Sequence, residues 1–134
     1  MAMIDALDSI EPVDARALRR MGIRTTEALL RRAATAEGRR EVASRVTLGE
    51  QEILALVLSV DLMRIKGMGI LYCRLLSQVG VHAIEDLRTW NPDTLRAMLD
   101  QTNDRVGIAR RLPNLERVAA WVKEAQSIES VIDR

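Results

Sequence analysis

The segment RIKGMGILYCRLLSQVG, from Arg64 to Gly80, holds the residues whose types and spacing could do chemistry. Gly67 and Gly69 stand one residue apart, just ahead of a leucine-rich helical pattern. Arg64, Lys66 and Arg74 surround them, and the segment contains no acid. A helix N-terminus leaves its first main-chain N–H groups without partners, and its dipole favours an anion. The segment therefore reads in one of two ways. It is a phosphate-binding hairpin, or it is a tight basic turn with a structural role alone.

No other pattern competes with it. The chain has no paired carboxylates at catalytic spacing, no metal-ligand spacing, no phosphate-binding P-loop and no nucleophile beside a base. The expectation is a non-enzyme without catalytic residues, metal or cofactor, and with no small-molecule substrate. The single cysteine, Cys73, excludes an internal disulfide and a cysteine-based zinc site. With leucines on both sides of it, it reads as a small buried residue at a helix crossing. The single histidine, His82, follows the Gly80 turn and reads as exposed. Trp90 and Trp121 could stack on bases, but their apolar helical surroundings favour the core. Arg19–Arg20, Arg31–Arg32, Arg39–Arg40 and Arg110–Arg111 read mostly as solvated helix faces. Arg110–Arg111, ahead of Leu-Pro at a helix entrance, is the doublet expected to join a site.

The elements that must position these residues are helical. The 134 residues are 48% hydrophobic but only 2% aromatic, with no Phe, so the core is aliphatic. Such a composition suits helices better than sheets. A net charge of +1 is far from that of a dedicated sequence-independent DNA binder, so any nucleic-acid affinity must be local. The start, MAMIDALD, lacks the basic and apolar regions of a signal peptide. The longest apolar stretch, ILALVLSV, is too short to span a bilayer. A cytoplasmic protein with no membrane partner is expected.

The chain also repeats itself. At an offset of 58 residues Leu7 meets Ile65, Ile10 meets Met68, Val13 meets Leu71, Ala15 meets Cys73, Leu18 meets Leu76, Gly22 meets Gly80 and Leu29 meets Leu87. Apolar positions coincide while surface positions drift, as in two copies of one unit. Later on, EILALV overlies RVAAWV if the second copy carries about seven extra residues near QTNDRVG. Pro12 suits a first helical position, Asn91 a cap before Pro92, and TLGE a capping box ahead of QEILALVLSV. Gly22 and Gly80 suit left-handed helix ends. The segment after Pro113 forms an amphipathic helix with Leu115, Val118, Ala119 and Val122 on one side. The expected architecture is all-α: a first unit over residues 1–60, and a second over 61–134 that includes the C-terminal helix. The two are expected to share one core.

The run IKGMGILYCRLL resembles the helix-hairpin-helix motif, apolar–x–Gly–apolar–Gly followed by a helix. The order EGRREVA, LMRIKGMG, LLSQVGVHAIEDL and RRLPNLERVAAWVKEAQ resembles the uncharacterised bacterial family DUF4332 over nearly the whole chain. That resemblance implies tandem helix-hairpin-helix-like units, akin to the small DNA-binding domains of recombinases and of the RNA polymerase alpha subunit. It implies that main-chain N–H groups of Gly67, Met68, Gly69 and Ile70 seat a nucleic-acid phosphate, with Arg64, Lys66 and Arg74 supplying charge. Tyr72, Arg110 and Arg111 are secondary candidates, with Tyr72 expected to be exposed. The first copy departs from the motif, because Ser9 and Glu11 replace the two glycines. Asp5, Asp8, Glu11 and Asp14 also crowd it, against Arg16 alone. The alternative is therefore a protein-interaction or self-associating module, without nucleic-acid binding, that uses those four acids.

Overall fold

The computed structural model describes residues 2–7 and 9–134. They fold as an all-α chain. A short 3-10 turn, Ile4–Ala6, precedes α1 (Pro12–Arg20), α2 (Thr26–Arg32), α3 (Ala36–Ala43) and α4 (Glu50–Leu62). Then follow α5 (Ile70–Gln78), α6 (Ile84–Leu87), α7 (Pro92–Val106) and α8 (Leu115–Ser127). The nearest thing to a strand among the described residues is one isolated bridge between Met3 and Thr25. No helix among them is long and apolar enough to cross a membrane.

The chain divides into two compact units. One comprises residues 1–61 with 131–134, the other residues 62–130. The last four residues thus group with the first unit instead of continuing the second, as the sequence boundary had it. The cause is hydrogen bonding between the chain end and the start of α3. Asp133 N–H donates to the Ala34 carbonyl at 2.7 Å, and the guanidinium of Arg39 donates to the Asp133 carbonyl at 2.8 Å. Arg39 also donates to the carbonyls of Ala33 and Ala34 and is 4% exposed. It is a buried clamp, not part of a solvated face.

Within each unit the same bonds recur 58 residues apart. Ile23 N–H reaches the Leu18 carbonyl and Gly22 N–H that of Arg19. Val81 N–H reaches Leu76 and Gly80 N–H reaches Ser77. With φ of +83° at Gly22 and +89° at Gly80, both turns are Schellman ends, which only glycine adopts without strain. Ahead of the helices, Ile10 bonds to Leu7 and Met68 to Ile65, and Ala15 bonds to Glu11 as Cys73 does to Gly69. Leu7, Ile10, Ala15, Leu18, Ile23 and Leu29 are buried, as are their counterparts. Val13 and Leu71 are about equally exposed, at 51% and 47%. Further along, α7 has 15 residues where α3 has 8, two helical turns more.

Sequence signals for helix ends hold where the cap is local. Pro12 and Pro92 open α1 and α7, and Asn91 Oδ1 accepts from Thr94 N–H. The TLGE segment differs. Gly49, not Thr47, stands at the α4 entrance, with its N–H on Glu52 Oε1 at 3.1 Å. Thr47 is used elsewhere: its N–H and hydroxyl both donate to the carboxylate of Asp14, at 2.8 and 2.6 Å. In α8 the buried face is Val118, Trp121, Val122 and Ala125, while Leu115 is 43% exposed. Leu115 opens the helix, one turn short of the packed stripe.

Asp14 is 1% exposed, and removing its carboxylate breaks its two hydrogen bonds from Thr47. Asp14→Ala should cost about 2–3 kcal/mol in urea unfolding, and Asp14→Asn less. An unaltered midpoint for Asp14→Ala would show that the latch contributes nothing to folding.

Candidate functional site

The Gly-Met-Gly turn enters α5 by way of two glycines with different roles. Gly67 has φ of +79°, so the left-handed backbone itself calls for glycine. Gly69 is the N-cap of α5 with φ −100° and ψ 175°, extended backbone that any residue adopts. A Cβ added at Gly69 would meet nothing within 4 Å. The matching position before α1, Glu11, is likewise extended and carries a full side chain. Neither strain nor packing therefore explains Gly69. No side chain caps α5, which leaves the N–H groups of its first turn without a capping acceptor.

An open groove of about 600 Å³ runs along this entrance. Its floor is Ile70, Leu71, Tyr72 and Ile108, and its polar wall is Arg110 and Arg111, with no acid in the lining. Among the described residues neither guanidinium has an ion-pair partner. Two sets of contacts and one turn deliver this wall. Asn103 pairs both ways with Ala109, its Nδ2 donating to the carbonyl at 2.8 Å and its Oδ1 accepting the N–H at 2.9 Å. Gly107, with φ of +61°, ends α7 and turns the chain back. The Tyr72 hydroxyl donates to the Arg111 carbonyl at 3.3 Å. Tyr72 is half-buried instead of exposed. Its ring lies against Trp121, with centroids 5.2 Å apart and planes at 55°.

The primary candidates are dispersed around the turn. Met68 is buried in the core, and Ile70 lines the groove. Arg64 donates to the Glu129 carbonyl at 3.0 Å. Lys66 faces a separate groove beside α8, and its N–H donates to Glu124 Oε1 at 3.2 Å. Arg74 lies in the second turn of α5, outside the lining. Arg110 and Arg111, secondary in the sequence, are the cations at the entrance. Asn103 was not legible as a positioning residue. Its signal, an Asn one turn before a helix-ending Gly, is common to many unrelated turns.

The described acids around the start of α1 do not form one patch. Asp14 is buried on Thr47, and Asp5 is ion-paired with Arg19. Glu11 is exposed at the α1 N-cap. Asp8 lies outside the described residues. Asp14 is thus removed from the interaction set, and Arg19 joins Arg16 in balancing what remains.

Trp121 belongs to the core and Trp90 packs against it. His82 is exposed. Cys73 is buried, and burial pushes its thiol from 9.0 up to about 12. A thiol so placed carries little thiolate, the form that reacts. Alkylation by iodoacetamide at pH 8 should run about a thousandfold slower in the folded chain than in urea, as the raised pKa requires. Equal rates, followed by mass spectrometry, would contradict the burial.

A known family model matches most of the chain. No curated protein and no solved structure gives a match. The family model runs from residue 8 to residue 128, through both glycine-ended turns, the α5 entrance and α8. On that match the chain belongs to the family described as Domain of unknown function (DUF4332).

Proposed function

We propose that the protein is a non-enzymatic binding module that seats a nucleic-acid backbone phosphate at the first turn of α5. The observation that carries this reading is Gly69. Neither backbone nor neighbours require a glycine there, yet it stands at an uncapped helix entrance and shares its groove with two arginines that have no ion-pair partner among the described residues. What a missing side chain provides in such a place is close approach of a ligand to the main chain. The N–H groups of α5 would hold the phosphate oxygens, and Arg110 and Arg111 would fork onto them. On this reading the hairpin is helix-hairpin-helix-like, and the recurring bonds mark two copies of one unit. Only the second copy binds, because Glu11 occupies the entrance of the first. Such contacts hold a backbone without reading its sequence. A cytoplasmic location belongs to the same proposal, supported by a lone cysteine kept as a buried thiol.

A second reading rests on the groove's apolar floor, where Leu71 is 47% exposed. A protein partner or a second copy of the chain could cover it. The same experiment separates the two.

Fluorescent single-stranded and duplex oligonucleotides are titrated from about 50 to about 200 mM salt, the range over which phosphate contacts weaken steeply. Binding should fall with salt. Arg110→Glu with Arg111→Glu should abolish it, and Arg110→Gln with Arg111→Gln should reduce the log–log slope by about two. Arg64→Glu with Arg74→Glu should change affinity far less. Binding that survives reversal at 110 and 111 would overturn the site. No binding at low salt, with concentration-dependent sedimentation, would establish the protein-interaction reading instead.

A further inference from the structure

Gly67 also lines a second groove, of about 450 Å³, whose lining includes neither Arg110 nor Arg111. It runs between Lys66 and the first turns of α8, a 13-residue helix capped by Asn114. Trp121 lines it and is 1% exposed, yet its Nε1 is buried with no hydrogen-bond partner. Buried donors in folded proteins are nearly always paired, and an unpaired one is a standing cost. The position of this N–H is specific. From the empty Cβ position of Gly67, Trp121 Nε1 lies 3.8 Å away and Arg117 Nε 4.0 Å away. Two nitrogen donors from α8 thus converge where the glycine leaves room. Among the described residues neither the Lys66 ammonium nor the Arg117 guanidinium has an ion-pair partner. Asn114 Oδ1 already accepts from Arg117 N–H at 2.8 Å, which leaves its amide nitrogen to donate.

We infer that this groove is a second subsite for an anionic oxygen, and that one strand crossing Gly67 presents a phosphate to each side. The inference extends the phosphate reading of the α5 entrance and rests on it for the ligand's identity. The acids beside it set its character. Glu116 and Glu124 also line the groove, and Glu124 Oε1 is held by the Lys66 N–H. The local charge is therefore near balance. The subsite accepts one oxygen on a neutral indole N–H, steered by Lys66 and Arg117, and contributes mainly when the α5 entrance is filled. Two phosphates on one chain then bind more tightly than one, because the second contact is intramolecular.

The test observes the indole N–H directly. In the full chain, Trp90→Phe leaves one indole signal, from Trp121, in the 1H–15N NMR spectrum. Potassium phosphate, potassium chloride at matched ionic strength, a mononucleotide and a short single strand are titrated in turn. Phosphate and the strand should move the signal, chloride should not, and the strand should bind at least about tenfold tighter than the mononucleotide. Arg117→Gln should lower the salt slope by about one, and Glu116→Gln should tighten binding. If the strand binds without moving the signal, the subsite is wrong and the α5 reading stands. If phosphate moves the signal but no oligonucleotide binds, the subsite stands and the nucleic-acid reading falls. An equal response to chloride, or weaker phosphate binding in Glu116→Gln, overturns the subsite.

Discussion

The burial of Trp121 is the constraint on which the rest of the second unit depends. In a chain with 2% aromatic residues and no Phe, one fully buried indole is an unusually large part of the core. It lies against the ring of Tyr72 and beneath the turn at Gly67. The turn, α5 and α8 are thereby held to one another. Tyr72 in turn holds the Arg111 carbonyl, and Asn103 holds Ala109. The two arginines at the groove owe their place to this succession of contacts, since among the described residues no hydrogen bond or ion pair holds their side chains.

The first unit solves the same local problem with different chemistry. The third residue of α1 is Asp14, which holds the loop before α4 through Thr47. The third residue of α5 is Tyr72, which holds the loop before α8 through a carbonyl. A buried carboxylate on two donors and a tilted aromatic with one hydroxyl bond are thus different latches, each on the third residue of its helix. They have different consequences at the helix entrance. Glu11 sets a negative side chain at the positive end of α1, which suits the dipole. Gly69 leaves the same end of α5 bare.

Glycine marks these turns but does not explain itself in sequence. Gly22, Gly67, Gly80 and Gly107 all have positive φ, so the backbone accounts for them. Gly69 looks the same in the sequence and is not of that kind. Only its extended backbone and the open space around it separate a glycine required by a turn from one at a clear approach to the main chain.

By itself, the sequence determined what depends on near neighbours. Periodic apolar residues, Pro12 and Pro92 as first helical residues, Asn91 as a cap and Gly22 and Gly80 as helix ends all act within one or two turns. So did the 58-residue echo between Leu7–Leu29 and Ile65–Leu87, because the same short-range pattern must bury the same face each time. Tertiary structure alone decided which charges face the α5 entrance. Arg64 and Arg74 lie close to it in sequence but outside its groove, whereas Arg110 and Arg111 arrive from some forty residues away. It also decided that Asp14 and Arg39 are interior groups. A charged side chain is buried only where fixed partners meet it, and for both of these the deciding partners, Thr47 and Asp133, come from distant stretches of chain. Pairings of that kind are set by packing, which local pattern does not encode.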